Sequence, residues 1–295
     1  MIHRLSVIIL LFLIAGCTAE QNHLLESYPN AHLLVDAAAL EQELQDGDLF
    51  LIDTRPSIEN GVIPGAVHFP AVSSLSDPDH EIEHFLVDVE SFEQMMQEIG
   101  LNNDDRVILY DDGNALSAAR LFYALDYYGF GNASILNGGL QGWLADGYST
   151  DEEPQPTTRG SFSVSVQENL SCDITYLRSV IDDPNVIVFD ARSEGEFTGT
   201  DRRALKGGHI PNAVNLEWNS VLEQDGVPYF RSAAAIQAQY LAMGITPDKE
   251  VIPHCHTNVR GSHAYFTLRL MGYDSVRPYE GSWSEYGNLE DSVVM

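Results

Sequence analysis

Short apolar runs that close on turn residues alternate along this chain with stretches of helical period. Leu49 to Ile52 runs into Asp53-Thr54-Arg55, Val186 to Phe189 into Asp190-Ala191-Arg192, and Val251 to His254 into Cys255. All three read as strands, being rich in β-branched or large apolar residues and bounded by polar ones. Between them, Ser91 to Ile99, Ala233 to Met243 and Arg260 to Met271 carry helical spacing, the last through Ala264, Leu268 and Met271. The alternation predicts an α/β fold with a mainly parallel sheet flanked by helices. Ligands of such sheets bind beyond the carboxyl ends of the strands, and Cys255 falls at such an end.

The pattern occurs twice. Gly100 to Phe122 lies over Gly244 to Phe266 at a constant offset of 144, with Asp111 standing where Cys255 stands. Earlier, LFLIDTR (Leu49 to Arg55) matches VIVFDAR (Val186 to Arg192), and VIPGAV matches HIPNAV; later, LNGGLQGW (Leu136 to Trp143) matches YEGSWSEY (Tyr279 to Tyr286). Matched blocks in one order predict a duplicated domain. The acidic, proline-bearing stretch Asp151 to Pro156 suits an exposed connector. The expected domains are residues 31–150 and 168–295, joined by a linker over 151–167.

Composition narrows the functions open to such a pair. Lys plus Arg number 15 against 44 Asp plus Glu, a formal net charge of −29 that repels phosphate backbones and excludes nucleic acid as a partner. Lysine occurs only at Lys206 and Lys249, so a ligand anion has to be held by local arginines. At the other end of the scale, Leu5 to Ala15 is an apolar run too short to cross a bilayer comfortably, preceded by His3 and Arg4. It reads as an export signal. Its end, Ile14-Ala15-Gly16-Cys17, resembles the bacterial lipobox, which implies a signal peptide over 1–16, lipidation of Cys17 and a polar tether over 17–30. With Thr18 rather than Asp after the cysteine, the resemblance implies a periplasmic protein of the cell envelope, anchored to the outer membrane.

The chemistry concentrates in the loop from Cys255 to Val259, which has to feed a strand into a helix. A cysteine there faces the positive end of a helix dipole and several unpaired N–H groups, both of which favour a thiolate. Arg260 adds a permanent cation. The same amides suit a sulfur anion or an oxyanion, so the pattern points to nucleophilic attack with charge stabilisation. Cys172, with no basic neighbour, reads as structural; whether it meets Cys255 is left open at this level.

The string HCHTNVRGSHAYF (His254 to Phe266), with DAR and GGHIPNAVN upstream and YEGSWSEYGN downstream, resembles the two-domain rhodanese sulfurtransferases over about Ala31 to Leu289. The resemblance implies two tandem rhodanese-like domains. In that family the first lacks the cysteine and the second carries a six-residue loop that begins with it, here Asp111 against Cys255-His256-Thr257-Asn258-Val259-Arg260. It also implies a two-step transfer between a small-molecule sulfur donor and acceptor. Cys255 attacks the outer sulfur of thiosulfate and releases sulfite, and the loop amides hold the resulting persulfide until a thiophile such as cyanide, or a small thiol, removes the sulfur. No metal or organic cofactor is implied, and a thiol or protein acceptor is not specified.

Further residues are placed by the same comparison. Arg260 is assigned to the substrate anion or the persulfide, and Thr257 either to the persulfide or to capping the helix. Asp190 and Arg192 recur as Asp53 and Arg55 in the copy without the cysteine, which favours a structural lock. His254 and His263 fall on the strand and inside the helix and, with His256, are not assigned catalysis. The interval Asp190–Ile210 is ten residues longer than Asp53–Ile63 and adds Arg202, Arg203 and Lys206, expected to attract the anionic substrate. The mercaptopyruvate branch usually has an arginine where this chain has Glu196 and ends its loop in small uncharged residues rather than in Arg260, so thiosulfate is the expected donor. Of the rivals, the phosphatases of this fold place five residues between cysteine and arginine, and this loop has four. A redox-sensing or binding module, with the Asn258 side chain narrowing the cradle, and a persulfide carrier remain as alternatives.

Overall fold

The computed structural model describes residues 27–47 and 49–295. The signal expected over 1–16 and its cysteine, Cys17, lie outside the described residues. Among the described residues no helix is long and apolar enough to cross a membrane.

The first copy runs β1 (Leu34–Val35), α1 (Ala37–Asp46), β2 (Phe50–Asp53), β3 (Val67–His68), α2 (Ala71–Ser74), α3 (Val89–Glu98), β4 (Val107–Tyr110), α4 (Leu116–Tyr127), β5 (Ala133–Leu136) and α5 (Gly139–Ala145). The strand order is β1-β5-β4-β2-β3, with every neighbouring pair parallel. β4 and β5 are buried at every position, as central strands covered on both faces must be.

The second copy follows with α6 (Ile174–Val180), β6 (Val186–Asp190), α7 (Glu194–Phe197), β7 (Val214–Asn215), α8 (Ala233–Ala242), β8 (Glu250–His254), α9 (Val259–Leu270) and α10 (Ser282–Tyr286). Its ladder β7-β6-β8 is parallel, and two parallel bridges, Val251 with Val276 and Cys172 with Tyr279, extend it in the order of the first sheet. Cys172 thereby takes the place of Val35. The aspartate that follows caps the next helix in both copies, Asp36 accepting from the Ala39 N–H and Asp173 from the Tyr176 N–H. Cys172 is packed among Leu177, Val188 and Tyr279, and burial pushes its thiol up to about 12. Both Cys172 and Cys255 are free thiols, so the two do not meet.

The copies pack through equivalent helices, α4 against α9. Phe122 meets Phe266 with ring centroids 5.0 Å apart, Tyr123 meets Tyr265 at 5.3 Å, and Arg269 pairs with Asp126 at 3.0 Å. Each copy also sends a hairpin across. The first copy's, closed by the bridge Ser76–Leu86, reaches the second, where the Leu86 N–H donates to Glu280. The second copy's, closed by Leu222–Phe230, reaches the first, where the Phe230 N–H donates to Asn137. Its Tyr229 comes so close to Gly138 that a Cβ there would lie 2.4 Å from the ring, which restricts the position to glycine.

Parts of the segments expected as linker and tether pack against the domains. Asp151 to Pro156 lies at the surface, but the linker over 151–167 is not free beyond it. Phe162 is wholly buried against Phe92 and Phe130, and the N–H groups of Ser165 and Gln167 donate to the carbonyls of Tyr128 and Tyr127. An aromatic residue within a polar stretch gains more from this burial than from solvent exposure. The tether over 17–30 likewise ends early. Tyr28 is buried in the core with its hydroxyl donating to the Arg231 carbonyl, and the Asn30 N–H donates to the Leu270 carbonyl.

Candidate active site

β8 ends at His254 and α9 begins at Val259, so Cys255 sits in the turn at the carboxyl edge of the sheet, 1% exposed. The segment leading into α10 fastens this turn. The Trp283 N–H donates to the Cys255 carbonyl at 3.0 Å and the Ser284 N–H to the His256 carbonyl at 2.8 Å. Ser282 Oγ accepts from the Cys255 N–H at 3.3 Å and donates to the Tyr279 carbonyl at 2.9 Å. Asn258 adopts the left-handed conformation, φ +56°, that turns the chain into α9. The first turn of this 12-residue helix, with its free N–H groups and positive dipole end, therefore follows directly on the cysteine turn. No side chain caps it, so Thr257 does not have the capping role.

The equivalent loop of the first copy is already occupied by its own side chain. Asp111 Oδ1 accepts from the N–H groups of Gly113 and Ala115 at 2.9 and 3.0 Å, and Oδ2 from Ser117 at 3.1 Å. Burial pushes this carboxyl up in spite of those bonds. The left-handed residue here is Ala115, φ +60°, and the helix begins at Leu116. The first loop is thus one residue longer than the second, and the repeat offset falls from 144 before the loops to 143 after them. This corrects the constant offset expected through Phe122 and Phe266, and it puts Ser117 opposite Arg260. The added residue gives the carboxylate room to fold back onto the amides.

Arg260, in the first turn of α9, carries its charge beside Cys255 and holds Glu196 with two bonds of 2.6 and 2.9 Å. Glu196 lies in α7, buried, and its carboxylate also closes a capping box with Ser193. Burial alone would push this carboxyl up, but the Arg260 hydrogen bonds and charge outweigh it and hold the group at about 2. The cation assigned to the substrate thus already has a permanent counter-ion. Of the inserted cations only Arg203 joins this cluster, 3.6 Å from Glu196. Arg202 donates to the Ala204 carbonyl from an exposed position, and Lys206 is spent on the carbonyls of Glu290 and Ser292, tying down the carboxyl-terminal tail. Arg202 and Lys206, expected with Arg203 to attract the anionic substrate, thus have backbone carbonyls as their partners, and only Arg203 stands at the Glu196–Arg260 pair.

The Asp–Arg pairs make the same buried fork in both copies: Arg192 to Asp190 at 2.6 Å and Arg55 to Asp53 at 2.5 Å. Arg192 also donates to the Gly208 carbonyl and lies over the Trp283 ring at 4.3 Å, so it braces α10 behind the loop. His254 is buried, with Nδ1 3.2 Å from the Cys255 carbonyl, and burial lowers it from its ordinary value. His263 stacks on Phe230, and burial holds it down at about 3. His256 and Thr257 stand half-buried at the mouth, and Val259 opens the helix. Among the described residues no group of three His, Cys, Asp or Glu side chains is placed to hold a metal ion.

Two buried charges behind the loop were passed over in the sequence. Glu280 accepts from Asn258 Nδ2 at 2.6 Å, which turns that side chain onto the carboxylate, and Arg120 of the first copy holds Glu280 at 2.7 Å. The signal that marks them is a charge standing where the other copy is neutral: Glu280 at the position of Asn137, Arg120 at that of His263.

Comparison with known proteins agrees with this arrangement. The rhodanese-like domain model matches residues 36–146 and again 173–289. A thiosulfate sulfurtransferase of Pseudomonas aeruginosa is 33% identical, with 89% of this chain and 96% of that protein covered. The sulfur carrier protein TtuD of Thermus thermophilus is 30% identical over 89% of this chain and 96% of its own length. Among solved structures, that of the 3-mercaptopyruvate sulfotransferase SseA from Escherichia coli superposes with a TM-score of 0.77 at 28% identity, covering 86% of this chain and 99% of that one. Two matches of one domain model, a cysteine loop in the second and a cysteine-free loop in the first, make this chain a member of the rhodanese family with two rhodanese-like domains in tandem.

Proposed function

We propose that the chain is a thiosulfate sulfurtransferase that works through a persulfide on Cys255. The Cys255 thiolate attacks the outer sulfur of thiosulfate; the sulfur–sulfur bond breaks and sulfite leaves with its electron pair. The persulfide then gives its outer sulfur to cyanide or a thiol, and the Cys255 thiolate is restored. The observation that carries this reading is the placement of Cys255 in the turn that leads into α9, with the Arg260 charge beside it, whereas the amides of the equivalent turn hold the Asp111 carboxylate. Such a cradle stabilises the anion of each step.

Thiosulfate is favoured over mercaptopyruvate by Glu196. A carboxylate bound bidentately to Arg260 occupies the fork that a carboxylate-bearing donor needs. Steady-state transfer to cyanide tests the assignment, with kcat/KM for thiosulfate expected to exceed that for mercaptopyruvate; the reverse order assigns the chain to the other donor. Turnover also separates an enzyme from a sensing module, and transfer to thiols separates it from a carrier restricted to a protein acceptor.

The leader supports export and attachment by lipid at Cys17, which puts the enzyme on the periplasmic face of the cell envelope, at the outer membrane. Blocking lipoprotein signal cleavage should leave an uncleaved precursor, and normal processing under that block rejects the anchor.

A further inference from the structure

The catalytic loop leans on the copy that has no cysteine. Arg120, in α4 of the first copy, is 1% exposed and reaches across to Glu280 Oε1 at 2.7 Å and Oε2 at 3.3 Å, to Ser262 Oγ at 3.3 Å and to the carbonyl of His84 at 2.8 Å. Glu280 passes this on: it accepts from Asn258 Nδ2 at 2.6 Å and from the Leu86 N–H at 3.1 Å. Ser262 returns to the same place by donating to the Asn258 carbonyl at 2.7 Å. Apart from the two paths that end on the hairpin, at the His84 carbonyl and the Leu86 N–H, those from Arg120 end on Asn258, the left-handed residue on which the turn from Cys255 into α9 depends.

The near-two-fold relation of the copies supplies an internal control. On the other side of the interface His263 stands for Arg120 and Asn137 for Glu280. There the hairpin is received as well, with the Phe230 N–H on Asn137 Oδ1 at 3.0 Å and the Phe230 ring on His263. Docking the hairpin and packing α4 on α9 therefore need no charge. A buried ion pair is a poor source of stability compared with a neutral contact of similar size. The charged version is present only on the side that carries Cys255.

We propose that Arg120 of the non-catalytic domain is a positioning residue for the reaction, fixing Glu280 and through it Asn258 so that the loop presents Cys255 to the first turn of α9. Glu280 alone would set a negative charge behind a sulfur anion; Arg120 cancels it while keeping its hydrogen bonds to Asn258. The inference rests on Cys255 being the nucleophile and is independent of the sulfur donor. It gives the first domain a chemical part in a site that lies wholly in the second.

The test is the pH profile of Cys255 alkylation by iodoacetamide in the purified full chain, read by mass at Cys255, with sulfur transfer measured separately. Arg120→Lys should retain part of the wild-type rate and Arg120→Met should lose at least about tenfold, because removing one partner leaves the other charge buried. The double variant Arg120→Met/Glu280→Gln copies the neutral side of the interface. It should fold, show an alkylation profile displaced from that of the wild type because Asn258 is no longer fixed by the buried pair, and lose kcat more than it raises KM. A wild-type profile in the double variant, or failure of that variant to fold, overturns the proposal by showing that the pair serves the interface alone. Loss of sulfur transfer with normal Cys255 alkylation in the wild type would instead contradict the transfer reading and leave this one standing.

Discussion

The two loops that begin at Asp111 and Cys255 follow equivalent strands and open equivalent helices, yet one sets a carboxylate on its own backbone amides and the other sets a thiol in that place. In the first, a carboxylate takes three backbone N–H groups and the loop is a residue longer to admit it. In the second, a thiol stands in the place of the carboxylate, Arg260 replaces Ser117, and charges from α7 and from the other domain flank the loop. The difference shows how a duplicated fold separates roles. The copy without the cysteine satisfies its loop amides internally and extends a buried arginine into its partner domain.

The largest effect expected from breaking this comparison is that of Cys255→Ala, which should reduce sulfur transfer to the uncatalysed level while the protein still unfolds cooperatively near the wild-type temperature. Moving the thiol to the other loop sharpens it. Asp111→Cys in the Cys255→Ala background should stay inactive, since the longer loop and Ser117 supply neither the geometry nor the cation; measurable thiocyanate formation would show that the thiol alone suffices. Asp111→Ala leaves buried amides without an acceptor and should cost about 1–3 kcal/mol in denaturant unfolding, with transfer at Cys255 little changed.

The strand and helix pattern was legible because periodicity is local. Runs read at Leu49 to Ile52, Val186 to Phe189 and Val251 to His254 are β2, β6 and β8 within a residue or two, and the three helical stretches are α3, α8 and α9. Cys255 was legible for the same reason, as a residue at the junction of two periodic elements. The partners of the charges were not. Glu196 with Arg260, Lys206 with the tail, and Arg120 with Glu280 join residues from 64 to 160 positions apart. Nothing periodic announces such pairs, and only the loss of symmetry between copies hints at them. The one-residue shift of the repeat escaped notice because apolar helix positions tolerate a slip that a left-handed residue does not.

Acid should expose the Glu196–Arg260 pair. A carboxyl held at about 2 in the folded state, below its ordinary 4.5, contributes stability that is complete above pH 4.5 and is lost as the pH falls towards 2. Glu196→Gln should therefore show a shallower loss of stability across that window than the wild type. The smallest effect is expected at Cys172, which occupies a packing position at the edge of the second sheet. Cys172→Ala should cost about 1 kcal/mol and leave turnover intact; a loss of transfer comparable to that of Cys255→Ala would reveal a second working thiol.

The most direct measurement is the intact mass of the purified protein before and after thiosulfate, and again after cyanide. The account predicts a gain of about 32 Da, one sulfur atom on a thiolate nucleophile, located at Cys255 and removed by cyanide. A protein that turns over thiosulfate without carrying that sulfur, or that carries it on Cys172, would contradict the account.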